Sequence, residues 1–272
     1  MGPSASAEGD LGERVTDAAN GFFFWLRNAV PWSLPAWTRV AGRWDTVLSD
    51  LSPAARRRAE SLRAAHDLAR WPLLLTPIQL HENLALLDLL TLHLPAGLPP
   101  GRGLDVGAKN GSTLPALVAA SRRPWDLVEL DAHRRYLSMS TRRAHGERLA
   151  RAFAADGLDC RYIAGSVAGV TTSHAVVTWV LPFVHEGPLR AWGLPRRFFA
   201  PLALLRHVGS LVAPGGVLFV INQGEGERDT QRALFTELGL TPTELGQLET
   251  PLSPFRRPRF GFLWQRPVTA PT

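Results

Sequence analysis

The apolar pattern of the chain changes period near residue 96. Before that point it is helical. Ser52-Pro53 reads as an N-cap with proline at the first helical position, and predicts a helix to about Arg70. Thr76-Pro77 repeats the device, followed by Leu80, Leu84, Leu87, Leu90 and Leu94 at helical spacing. That apolar face is wide, so the helix is expected to pack on two sides. The segment 95–103, PAGLPPGRG, reads as a hinge or linker. Beyond it, short apolar runs alternate with helical stretches, as in a parallel sheet flanked by helices. Strands are expected over 104–108, 125–131, 161–166, 175–184 and 217–222, with two late strands near 243–249 and 260–265. Helices are expected over 113–122, from the second strand to about Ala155, over 198–212 closed by the turn APGG, and over 227–238 ended by Gly239. The run 175–184 is nearly all apolar, which suits a central strand buried on both faces.

Composition refines the picture in a few places. The chain has 272 residues, 45% of them hydrophobic and 20% charged, enough for a substantial core and too apolar for disorder. A helical extension at 1–99 and an α/β domain at 100–272 are the expected units. The single Cys160 forms no internal disulfide, and no Cys/His spacing suggests a metal, so a reducing cytoplasm is the expected compartment. The most apolar stretch, 71–94, contains His81, Glu82 and Asp88, which argues for a buried helix over a membrane span. The net charge is +6, and arginine pairs recur at 122–123, 134–135, 142–143, 196–197 and 256–257. A phosphate-binding surface would use such pairs. Their scatter among 24 acids fits ordinary solvated charge better. Residues 21–44 hold three phenylalanines and four tryptophans broken by Pro31 and Pro35. Packing of these rings onto the main domain is the favoured expectation; a lid over an apolar substrate and contact with a membrane surface are the alternatives.

The candidate chemistry lies where the first strand ends. Asp105-x-Gly107-x-x-x-Gly111 gives a turn with two glycines, then Ser112 or Thr113 as the next helix cap. In an open α/β sheet, ligands bind beyond the carboxyl ends of the strands, where strand order reverses. The second strand closes on Glu129-Leu130-Asp131. An acid about 20 residues past a glycine turn can accept ribose hydroxyls. Glu129 and Asp131 share a face, and Asp131, expected last on the strand, is the first choice. Lys109 is the sole lysine in a chain otherwise using arginine. Its compact charge could pair with a ligand carboxylate, with Glu82 or with Asp105.

With these residues in order, the chain from about 100 to 266 resembles the class I, Rossmann-like methyltransferases that use S-adenosylmethionine (SAM). The matching features are the Asp105/Gly107/Gly111 turn, VELDAHRRYL, GLDCRYIAGSV and VAPGGVLFVI, with two late strands as the closing pair. The resemblance implies a seven-stranded, mostly parallel sheet with a closing antiparallel strand. It also implies that the turn Gly107-Ala108-Lys109-Asn110-Gly111 underlies the methionine part of SAM and that Asp131, with Glu129 beside it, holds the ribose. Ser166, Leu181 and Pro182 complete the candidate cofactor set. Three residues depart from the family pattern. Lys109 replaces a middle glycine. Ser166 stands where an aspartate often meets the adenine amine. Leu181-Pro182-Phe183 lacks the Asn/Asp-Pro-Pro-aromatic motif used on planar amines.

If the acceptor starts protonated, a base is required. His185 and Glu186 are the candidates after strand four, and Asn222, Gln223, Glu225 and Glu227 lie after strand five. The acceptor expected is a hydrophobic small molecule, with RNA as an alternative. A non-catalytic SAM- or nucleotide-binding protein of the same fold is a further reading. A nicotinamide oxidoreductase is disfavoured because GAKNGS lacks G-x-G-x-x-G. No G-x-S-x-G or H-E-x-x-H is present for a serine hydrolase or zinc protease.

Overall fold

The computed structural model describes residues 5–37, 41–135 and 139–268, with side chains from residue 12 onward. Residues 136–138 of the VELDAHRRYL match and 38–40 of the aromatic stretch lie outside the described residues. The sheet has seven strands: β1 (Gly103–Val106), β2 (Trp125–Glu129), β3 (Arg161–Ala164), β4 (His174–Val180), β5 (Val212–Gln223), β6 (Thr243–Gln247) and β7 (Arg259–Gln265). Their order is β3-β2-β1-β4-β5-β7-β6. The first five are parallel, β7 runs antiparallel to β5, and β6 runs antiparallel to β7. This is the expected mostly parallel sheet with its closing antiparallel strand. Strand order reverses between β1 and β4, the place where open α/β sheets bind ligands.

Period-two alternation divides the apolar residues between the two faces. Val176, Val217, Phe219 and Ile221 join one cluster, while Val177, Trp179, Leu218 and Val220 join the other. The second cluster is completed by α9 (Pro201–Ser210) and α10 (Gly224–Glu237). The first includes α3 (Pro53–Ala65), α4 (Trp71–Leu74), α5 (Pro77–His93) and α6 (Leu114–Ser121). Leu80, Leu84, Leu87 and Leu90 are buried in that cluster beside Leu114 and Leu117. The core therefore runs continuously across the linker at 95–103. Asn83 adds a polar tie. Its amide donates to the Ser112 carbonyl (2.7 Å) and accepts from the Ala116 N–H (3.0 Å), fixing α5 to the start of α6.

Local signals explain several boundaries. The Thr76 hydroxyl and the Gln79 side chain form a reciprocal capping box at α5. Ser52 caps α3, which stops at Ala65, short of the expected Arg70, because a new turn with Pro72 in its first positions begins at Trp71. The expected turn APGG is a bulge within β5. Register jumps from His174↔Val212 to Val176↔Val217, and a Cβ on Gly216 would stand 2.7 Å from the Ala175 carbonyl oxygen. Strand β2 ends at Glu129, so Asp131 lies in the following turn. Helix α7 (Arg142–Ala154) starts only after Thr141 caps it.

The aromatic stretch departs from the favoured expectation. Helix α1 (Ala5–Ala29) and the segment after it leave Phe22, Phe23, Trp25, Trp32 and Trp37 exposed, so most of these rings do not pack onto the domain. Phe24, against Phe198 at 4.8 Å, and Trp44, stacked on Trp71 at 6.4 Å, do pack inward.

Candidate active site

The turn after β1 is anchored from below. Asp105 is buried, and its two carboxylate oxygens accept from Thr178 on β4 (2.7 Å) and Thr113 before α6 (2.8 Å). Burial pushes its pKa up to about 6, against the opposing pull of the two hydroxyls. Asp105 is thus a strut between elements, with both oxygens committed inside the protein. Gly107 and Ala108 donate their N–H groups to the Val128 carbonyl. Gly107 has φ +72°, and a Cβ built there meets no heavy atom within 4 Å. Space is open above the backbone at that point. Gly111 differs: a Cβ would stand 3.0 Å from Cα of Gly146 on α7 and 3.1 Å from Leu127. Glycine is required at 111 so that the turn can rest on α7, and not for ligand access.

Lys109 adopts φ +51°, in the left-handed region that L-residues avoid. Tertiary contacts hold it there. Its N–H donates to Glu129 Oε2 (2.8 Å), and its carbonyl accepts from the Tyr162 hydroxyl (2.5 Å). Its ammonium lies 5.4 Å from the Trp192 ring centre. Lys109 keeps an exposed face, yet the recess around the ammonium strips hydration and lowers its pKa; Glu82 opposes this. Asn110 accepts from the Ser112 N–H at 3.4 Å. Leu181, at the tip of β4, is also left-handed at φ +59°, and its N–H is held by the Ile221 carbonyl at 2.7 Å. Pro182 beside it is buried. Strained non-glycine residues thus occupy the tips of both strands that flank the order reversal. Each such conformation costs about 1–3 kcal/mol, and such residues cluster at functional sites.

Glu129 and Asp131 face the same side, bridged by the buried Arg142, whose Nη1 lies 3.0 Å from Glu129 and 3.5 Å from Asp131. Glu129 also accepts the Asp131 N–H at 2.8 Å. Desolvation raises its pKa, with Arg142 the largest opposing influence. Asp131 is 1% exposed. Besides Arg142 it binds Arg134 and Arg27, the latter from α1 at 2.5 Å. The Trp192 ring faces this group, 5.0 Å from the Arg142 guanidinium and 5.7 Å from that of Arg134. Trp192 follows α8 (Glu186–Ala191). Ser166 is exposed at the end of β3, and its hydroxyl accepts from Ala168 N–H (3.2 Å) to cap a short 3-10 turn.

The base candidates find other partners. His185 is exposed and lies 3.4 Å from the Thr230 hydroxyl on α10, while Glu186 pairs with Arg196 and Arg190. Glu227 caps the Gln223 N–H (2.8 Å), and Asn222 is fully buried. Sequence reasoning missed Arg27, Arg142, Trp192 and Arg259. Arg259 opens β7, donates to Gln223 (2.5 Å), and acts with Lys109 to lower the Glu82 pKa that desolvation raises. The three arginines' only advance signal was a basic chain, and Trp192 gave none. Among the described residues, no group of three or more His, Cys, Asp or Glu is gathered to hold a metal.

No family model and no curated protein matches the chain. Among solved structures it is similar to a geranyl diphosphate methyltransferase in complex with SAM, at 14% identity, covering 84% of this chain and 96% of that one, TM-score 0.49. A protein from Pyrococcus horikoshii proposed to be an RNA methyltransferase gives 14% identity, 81% and 100% coverage, and 0.49. Magnesium protoporphyrin IX methyltransferase from Synechocystis PCC 6803, with bound SAM, gives 13%, 70% and 81%, and 0.47.

Proposed function

We propose that this chain transfers a methyl group from SAM to a small-molecule acceptor. The observation that carries the reading is the pair of strained residues, Lys109 and Leu181, on either side of the order reversal, with open space over Gly107 between β1 and β2. Arg122, closing α6, and Met139 share that conformation elsewhere; at 109 and 181 it is held by Glu129, Tyr162 and the Ile221 carbonyl. SAM would supply an electrophilic methyl on a sulfonium. In this reading the turn 107–110 meets its methionine part and the Lys109 ammonium its carboxylate. Asp131 accepts ribose hydroxyls once Arg27 gives way, and the exposed Ser166 hydroxyl serves the adenine. The chain's own task is then to hold the acceptor in line and exclude water. Desolvation raises the Glu82 pKa against the charges of Lys109 and Arg259, while His185 is engaged with Thr230. The arginine pairs lend little to an RNA acceptor: Arg134, Arg142, Arg143 and Arg196 are each ion-paired to carboxylates.

Calorimetry with SAM, its demethylated product and NAD tests the reading. Binding of the first two and not of NAD is expected; no heat with either adenosyl compound would overturn it. One observation favours a second reading, a non-catalytic binding protein: Asp131 is saturated by three arginines beneath Trp192. Lys109→Gly separates the two. If Lys109 meets the methionine carboxylate, SAM affinity falls about tenfold, the loss of one charge-assisted contact. If Lys109 merely fills the crevice, affinity rises.

A further inference from the structure

Helix α1 is built inside out. The positions it turns toward the body are Asp17, Asn20, Phe24 and Arg27, three or four residues apart. Three of these are polar and all three are satisfied there. Asp17 accepts the Arg196 N–H, Asn20 donates to the Arg190 and Leu194 carbonyls, and Arg27 binds Asp131 and the Gly193 carbonyl. Off that face, Phe22, Phe23 and Trp25 stand at 55%, 58% and 59% exposure. In the segment after the helix, Trp32 and Trp37 are 53% and 50% exposed. A soluble helix ordinarily does the reverse, and an exposed aromatic patch of this kind marks an interaction surface.

The charge around the patch identifies its partner. Residues 21–44 contain no acid and three arginines, of which Arg27 is turned inward onto Asp131 and Arg39 lies outside the described residues. The exposed Arg135 stacks over Trp32 at 5.3 Å, and the exposed Arg197 lies 5.8 Å from Phe24, the ring turned toward the body. Among the described residues neither has a carboxylate partner. Tryptophan and phenylalanine rimmed by unpaired arginine suit the boundary between acyl chains and anionic headgroups. A second copy of the same patch would oppose like charges, so self-association is disfavoured. No helix among the described residues is long and apolar enough to cross a membrane, so the contact is with the surface. We propose that the last two turns of α1, residues 22–29, and residues 30–37 form a docking face for a bilayer containing anionic phospholipid, with the exposed aromatic rings inserted and Arg135 and Arg197 on the headgroups. This is independent of the cofactor reading.

Co-sedimentation of the full chain with vesicles tests it, using phosphatidylcholine alone and phosphatidylcholine mixed with phosphatidylserine. The wild type is expected to pellet with the mixed vesicles and to release as salt rises. Combined Phe22→Ser, Phe23→Ser and Trp25→Ser should lower partitioning at least about tenfold with an unchanged thermal melt, because these rings support no core. Should that variant not fold, Trp25→Ser and Trp37→Ser singly are read the same way. Arg135→Glu and Arg197→Glu should each lower binding to the mixed vesicles about fivefold or more and spare the neutral ones. No partitioning of the wild type, equal partitioning of the aromatic variants, or a lipid-free dimer dissolved by Trp25→Ser would overturn the proposal.

Discussion

Helices α1 and α5 are the two long helices of the first hundred residues, and they meet the body through opposite chemistry. Helix α5 buries Leu80, Leu84, Leu87 and Leu90 in the same cluster as α6 and the sheet. Helix α1 seats itself through Asp17, Asn20, Phe24 and Arg27 and leaves Phe22, Phe23 and Trp25 outside. Burial of leucine is non-directional and scales with area, so it makes α5 part of the fold. A seat of hydrogen bonds and an ion pair is directional and net-weak, because each bond replaces one to water. It positions α1 over Asp131 without committing the domain's stability to it. One helix belongs to the scaffold; the other is an attachment to the site.

Mutations separate the two seats. Leu84→Ala in α5 should cost about 2–5 kcal/mol of unfolding free energy, read by denaturant titration; a loss under about 1 kcal/mol would mean that α5 is as peripheral as α1. A pH series probes the scaffold side next. The folded pKa of Asp105, raised to about 6, exceeds its ordinary 3.8. The folded state therefore holds its proton more tightly than the unfolded chain. Its contribution is fully present below about pH 4 and is lost as pH rises through about 6, an effect of about 3 kcal/mol. Asp105→Asn should remove that slope from the difference between variant and wild type; an unchanged slope would place the titration elsewhere. The smallest effect is expected at α1. Arg27→Ala removes one charge-assisted pair, about 2 kcal/mol at most, since Arg134 and Arg142 still hold Asp131. Proteolysis within α1 should accelerate while the denaturant midpoint of the rest barely moves. A global collapse in this variant would erase the distinction between the helices.

The same contrast explains what was legible in the sequence. Scaffold features follow from period and capping, which are local. The Thr76-Pro77 cap, the leucines of α5 and the nearly all-apolar run of β4 are each written in a few consecutive residues. The glycine turn and its companion acids were legible for the same reason. Long-range partnerships were not. Nothing near residue 27 announces that its guanidinium reaches Asp131, 104 residues away. Nothing near Trp192 announces that it faces Lys109 and Arg142. APGG reads as a turn in isolation and becomes a bulge because β4 and β5 continue to pair on either side of it. The aromatic stretch is expected to pack because aromatic rings usually do; its rings stay outside because α1 turns Asp17, Asn20 and Arg27 toward the body, partnerships that no local pattern announces.

The seating of α1 carries one more consequence. Sulfate and other kosmotropic salts strengthen apolar burial, whereas added ions screen charge pairs that solvent can reach. The Arg27–Asp131 pair is 16% and 1% exposed, so salt screens it little. Brine should therefore firm the leucine layer and leave the strap's grip on its carboxylate nearly unchanged.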